Sequence, residues 1–146
     1  MLSSPGSAVA VETITASVLV EAEPDEVYEY FTRADAMVLW MGHHALLDAF
    51  PGGGFAVDIN GVRVRGRYQE LEPPNRLVIS WGFADSDELP PGASTLEVRL
   101  TKEAEGTRVE IRHSGLPERQ AAEHRQGWRH FLAQLGTAMT SLGASR

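Results

Sequence analysis

The stretch TRVEIRHSGLPERQAAEHRQGWRHFLAQLGTAMTSL, residues 107–142, changes its period halfway along. Through His113 apolar and polar residues alternate, the pattern of a strand with one buried face. From about residue 118, Trp128, Phe131, Leu132, Leu135, Met139 and Leu142 recur at steps of three and four and fill an arc of about 100° on a helical wheel, the width of a core-facing stripe. The spacing predicts a strand running into one long helix over 118–142, with Gly143 as its C-terminal stop.

Working outward, the chain before this helix is mostly strand. ETITASVLVEA (12–22) is rich in β-branched residues. EPDEVYEYFT follows, with Pro24 at a first helical position, acidic Asp25 and Glu26 in the first turn, and Val27, Tyr28 and Phe31 at helical spacing. ADAMVLWMG (34–42) predicts a second short helical piece that ends at Gly42. From about residue 45 the period is two: LLDAF, GFAVDI, VRVRGRYQELE, RLVISWGF, STLEVRLTKE and TRVEIRHS are separated by turn residues. Among these, Asn60-Gly61 is the sharpest hairpin signal, because both central residues of that turn need positive φ. Short connections imply antiparallel pairing. Seven strands and one long helix give an α+β domain whose sheet must cover one face with that helix.

Composition narrows the partners. A chain of 146 residues fits one domain. With 20 acidic against 13 basic residues and a net charge of −7, it would repel a phosphate backbone, so nucleic acid is not an expected partner. The absence of cysteine removes disulfides, thiolate catalysis and Cys-ligated zinc. Residues 1–10, MLSSPGSAVA, lack the basic and apolar regions of a secretory signal and are expected to be a loose tail before a domain at 11–143. No apolar run reaches membrane-spanning length, so no membrane partner and a cytoplasmic location are expected.

The order of elements, together with GGGF (52–55), GRYQELEPPNRLVISW (66–81), GTRVEIRHSGLP (106–117) and GWRHFLAQL (127–135), resembles the helix-grip fold of the START-like (SRPBCC) superfamily. Within it the chain is similar to the AHSA-type family, homologues of the activator of the ninety-kilodalton heat-shock chaperone's ATPase. The likeness covers about residues 12–142. It departs at LWMGH (39–43), where the family often has a Trp-Trp-Gly-Pro run, and the separate N-terminal domain of the eukaryotic co-chaperone has no counterpart. The resemblance implies a curved sheet gripping the long helix around an apolar cavity. It also implies members that serve as binding modules, as cyclase-like enzymes or as partners of other proteins, a chaperone included.

Alternation assigns Val62, Val64, Gly66, Tyr68, Leu77, Ile79, Trp81, Phe83, Leu96, Val98, Leu100, Val109, Ile111 and His113 to the helix side of the sheet. Arg63, Arg65, Arg67, Glu97, Arg99, Arg108, Glu110 and Arg112 fall on the other side, a mixed-sign solvated face. Inner-face Gly66 leaves room for a ligand or marks a bend in the sheet. His124 lies inside the apolar arc of the helix, whereas His130 lies about 160° from its centre and should face solvent.

The candidate ligand-binding residues are Phe31, Trp40, Phe55, Tyr68, Trp81, Phe83, His113, His124, Trp128 and Phe131, around a small apolar or amphipathic molecule. Core packing accounts for most of these aromatics on the alternative reading. His113 either ties the strand end to the helix start or faces the ligand, and His124 either is hydrogen-bonded within the protein or orients the ligand. An acid/base enzyme using His124 or His113 as general base is the rival reading, although no acid–base partner is evident. No cofactor and no metal site is expected: two histidines lack a third ligand, and Glu123 projects about 100° away from His124 on the helix. His43-His44 diverge in a loop. DSDELPPG (85–92) puts Pro90 and Leu96 where a calcium loop needs glycine and glutamate, and PGGGF lacks the Lys-Ser/Thr of a phosphate loop. A homodimer is compatible with the sequence.

Overall fold

The computed structural model describes the backbone of residues 11–144 and the side chains of 11–140. The tail expected at residues 1–10 lies outside the described residues. Seven strands form one antiparallel sheet in the order β1-β7-β6-β5-β4-β3-β2. In chain order they are β1 (Val11–Val20), β2 (His44–Leu47), β3 (Gly54–Ile59), β4 (Val62–Glu72), β5 (Arg76–Phe83), β6 (Ser94–Glu103) and β7 (Gly106–Pro117). Short helices α1 (Pro24–Glu29) and α2 (Ala34–Met37) follow β1, and α3 (Glu118–Ala144) closes the chain. This is the α+β arrangement expected from the periodicity, in the helix-grip form that the resemblance implies.

Local chemistry explains the joints. Asn60 and Gly61 take φ of 49° and 85°, so β3 and β4 meet through a two-residue turn that pairs Ile59 with Val62. At the start of α1, Pro24 follows Glu23, whose backbone N–H donates to Glu26 Oε1 at 3.4 Å. The second helical piece is shorter than 34–42: after Met37 the chain continues in turns to Gly42, where φ is +71° and an added Cβ would sit 2.6 Å from the Asp58 carbonyl oxygen. β2 starts earlier than LLDAF suggests, since His44 to Leu47 pair with Asp58 to Phe55. The helix also passes through Gly143 to Ala144, because glycine only disfavours a helix interior and does not forbid it.

The inner face of the sheet and the apolar stripe of α3 form one core, with Trp128, Leu132, Leu135 and Met139 buried and His130 exposed. The helix packs chiefly against β1 and only lightly against β7. The opposite half of the sheet therefore faces α3 across a wider gap. Gly66 does not supply that room: its Cβ would fall 1.7 Å from the Ser80 carbonyl oxygen, so the glycine serves a close approach of β4 to β5. Beyond it the register shifts by one residue between Tyr68 and Glu70, the bulge that bends the sheet.

Candidate functional site

The gap between α3 and the β3–β5 half of the sheet is a groove of about 480 Å³, within the range of small-molecule sites. Its walls are Trp81 and Phe83 from β5, Ile59, Val62 and Val64 from the β3–β4 hairpin, and His124, Gly127, Trp128 and Phe131 from α3. Around the rim stand Arg63, Asp85, Ser86, Gln120 and Glu123. Arg63 belongs to this rim rather than to an open sheet face, because β4 begins beside the loop that follows β5. There its Nε and Nη2 donate to the two carboxylate oxygens of Asp85, at 3.1 and 2.5 Å. That guanidinium holds the Asp85 carboxyl below its ordinary range. Val62, assigned inward by alternation, is 44% exposed at the mouth. Farther along the same loop, Glu88 accepts hydrogen bonds from Gln120 and Arg119 of α3, so the rim is tied to both strand and helix.

Two histidines, His124 in the groove wall and His113 behind it, are locked in a chain of hydrogen bonds. The Trp128 indole N–H donates to His113 Nδ1 at 3.0 Å. His113 must then carry its proton on Nε2, which donates to Ser94 Oγ at 2.8 Å, and Ser94 in turn donates to the Trp81 carbonyl at 2.8 Å. The Trp81 indole N–H donates to His124 Nε2 at 3.3 Å, which puts the His124 proton on Nδ1, 2.9 Å from the Gln120 carbonyl oxygen. Both rings are held neutral. Burial, with the neighbouring His124 as a smaller cause, pushes the His113 imidazole down to about 3, and burial lowers that of His124. Trp81 is the hub, with ring centroids 5.3 Å from both His113 and Trp128. Phe83 stacks on His124 at 5.5 Å with 23° between the planes.

Of the ten sequence candidates, Trp81, Phe83, His124, Trp128 and Phe131 share the groove. His113 sits just behind them, fully buried, and joins β7 to α3 and to β6. The remaining four lie in the closed core. Phe31 and Trp40 pack edge-on at 5.0 Å, Phe55 contacts Tyr68 and Trp81, and the Tyr68 hydroxyl donates to the Phe31 carbonyl at 2.7 Å. Among residues not singled out, Gly127 carried a signal, a glycine in mid-helix without a packing neighbour for a Cβ. Asp85 and Ser86 carried none, since a loop brings them to the rim. No group of three or more His, Cys, Asp or Glu side chains suited to a metal ion occurs among the described residues. Nor is any helix among them long and apolar enough to cross a membrane.

Comparison with known proteins adds the family. The model of the Activator of Hsp90 ATPase homolog 1-like protein family matches residues 21–140. The human activator of 90 kDa heat shock protein ATPase homolog 1 is 30% identical over 109 residues, which are 74% of this chain and 31% of that protein. A solution structure of an AHSA1-like protein from Rhizobium etli is 33% identical, with a TM-score of 0.71 over 89% of this chain and 83% of that one. DynU16, from the dynemicin biosynthetic locus, is 26% identical with a TM-score of 0.75, covering 86% of this chain and 46% of its own. The chain thus spans about a third of the human relative and about half of DynU16.

Proposed function

The chain belongs to the Activator of Hsp90 ATPase homolog 1-like protein family, and we propose that it binds a small apolar or amphipathic molecule in the groove between α3 and β3–β5. One observation carries the reading. Trp81, Phe83, Trp128 and Phe131 line one continuous space between α3 and the sheet, with Phe83 and Phe131 only partly covered, whereas the aromatics under α1 and α2 are closed in. Apolar walls with a few polar groups at one end suit a ligand with an apolar body and a polar end. Its removal from water is the driving term, roughly 25 cal/mol for each Å² of apolar surface covered.

The hydrogen-bond chain favours binding over acid–base chemistry. A general base needs a free lone pair facing its substrate, and the acceptor nitrogens of both imidazoles are already taken by indole N–H groups. The human relative is named for a chaperone's ATPase; this domain by itself is expected to leave that ATPase unstimulated, and stimulation at low-micromolar concentration would favour the interaction reading. Native mass spectrometry of freshly purified protein tests the binding reading. A retained small molecule, released on denaturation and competed by added apolar probes, supports it. A ligand-free protein whose tryptophan fluorescence ignores every apolar probe overturns it.

A further inference from the structure

Among the charges on the groove rim, one is left over. Arg63 is held on Asp85 through two parallel hydrogen bonds, which cancels both charges where they stand. Ser86 and Gln120 are neutral. Glu123, one residue before His124 on α3, lines the same rim and has no hydrogen-bond or ion-pair partner among the described residues. His124 cannot serve as its cation, because its ring is neutral and both its nitrogens are engaged.

We propose that the groove selects a cationic amphiphile: a flat apolar body bearing a protonated amine, with the body between Trp81, Phe83, Trp128 and Phe131 and the ammonium at Glu123. This rests on the binding reading above and adds the class of ligand. Three features point the same way. The rim carries a net single negative charge, which attracts a cation and repels an anion. The groove is lined by aromatic rings, whose electron-rich faces favour a cation near them. The whole chain carries −7, so the approach of a cation is favoured before contact. An anionic ligand would have to draw Arg63 from Asp85 and leave that carboxylate beside its own charge.

The test uses three probes of one shape, naphthylmethylamine, naphthylmethanol and naphthaleneacetate, titrated into the full chain and followed by tryptophan fluorescence. The amine should bind on the order of tenfold tighter than the acetate, with the alcohol between them, and added salt should narrow the spread. Glu123→Gln, at an exposed helix position, should leave folding unchanged and bring the amine down to the alcohol's affinity for the same variant. Equal affinities for all three probes would overturn the charge selection while leaving groove binding in place. A preference that survives Glu123→Gln would overturn the role of Glu123. No response to any of the three would overturn both the selection and the binding reading beneath it.

Discussion

Trp128, on the buried stripe of α3, donates its indole N–H to His113 Nδ1 at the inner end of β7, 3.0 Å away. The helix and the last strand are thereby joined by a polar contact inside an apolar core. A buried N–H and a buried ring nitrogen each need a partner, and here they satisfy one another. The same rule pairs Trp81 with His124, so the two histidines that look like chemistry in the sequence are bound up in holding the groove wall.

Acid should weaken this protein before its carboxylates titrate. A histidine whose pKa is lowered in the fold stabilises it in the neutral form. That contribution is full above the unfolded value of about 6.5 and is lost as pH falls from there toward the folded value. For His113, pushed down to about 3, the loss by pH 5 amounts to about 2 kcal/mol. His124 adds to it in the same direction. Urea unfolding between pH 8 and pH 5 should show the decline, and a flat profile over that interval would contradict neutral, buried rings.

Replacing His124 by Phe removes the acceptor for the buried N–H of Trp81, a residue of 4% exposure. Stability should fall by about 1–3 kcal/mol. If the indole is the partner that matters, Trp81→Phe and His124→Phe together should cost less than the sum of the two, by about 1 kcal/mol. Strict additivity in this double-mutant cycle would argue that the 3.3 Å contact contributes nothing.

What the sequence made legible was periodic. Alternation marked the strands, the three-and-four spacing marked α3, and Asn60-Gly61 marked the hairpin, because each signal is local to the residues that produce it. The groove was legible only in part. Phe55 and Tyr68 share alternation with Trp81 and Phe83, yet their part of the inner face is offset from the groove into the closed core, where Phe31 from the segment after α1 covers Tyr68 and Phe55 packs edge-on against it. That offset depends on sheet curvature and on the bulge after Tyr68, neither of which a repeat of two encodes. The pairing of Arg63 with Asp85 was hidden for another reason: a loop 22 residues downstream supplies the partner.

Two buried tyrosines should respond oppositely to loss of their hydroxyls. The Tyr68 hydroxyl donates to the Phe31 carbonyl, so Tyr68→Phe leaves a buried acceptor unpaired and should cost about 1–3 kcal/mol. The Tyr28 hydroxyl is buried with no hydrogen-bond partner among the described residues, so Tyr28→Phe removes a desolvated polar group and should be neutral or slightly stabilising. Thermal melts of the two variants should bracket the parent, and an equal loss in both would be inconsistent with this bonding.

Gly127 offers a test in which stability and binding part company. It lies inside the 27-residue α3, where glycine costs about 1 kcal/mol relative to alanine. Its backbone does not require glycine: no positive φ is found there, and an added Cβ would meet no atom within 4 Å. The space it leaves open is the groove, whose wall it forms between His124 and Trp128. Gly127→Ala should therefore raise the melting temperature by about 2–4 °C, the shift that 1 kcal/mol gives in a domain of this size. It should also weaken binding of a naphthalene-bodied probe several-fold, because the methyl group occupies space the ring would use. A stabilised variant with unchanged affinity would place the ligand elsewhere along the groove, whereas a destabilised one would mean that α3 packs more closely against the sheet at Gly127 than the open space around it implies.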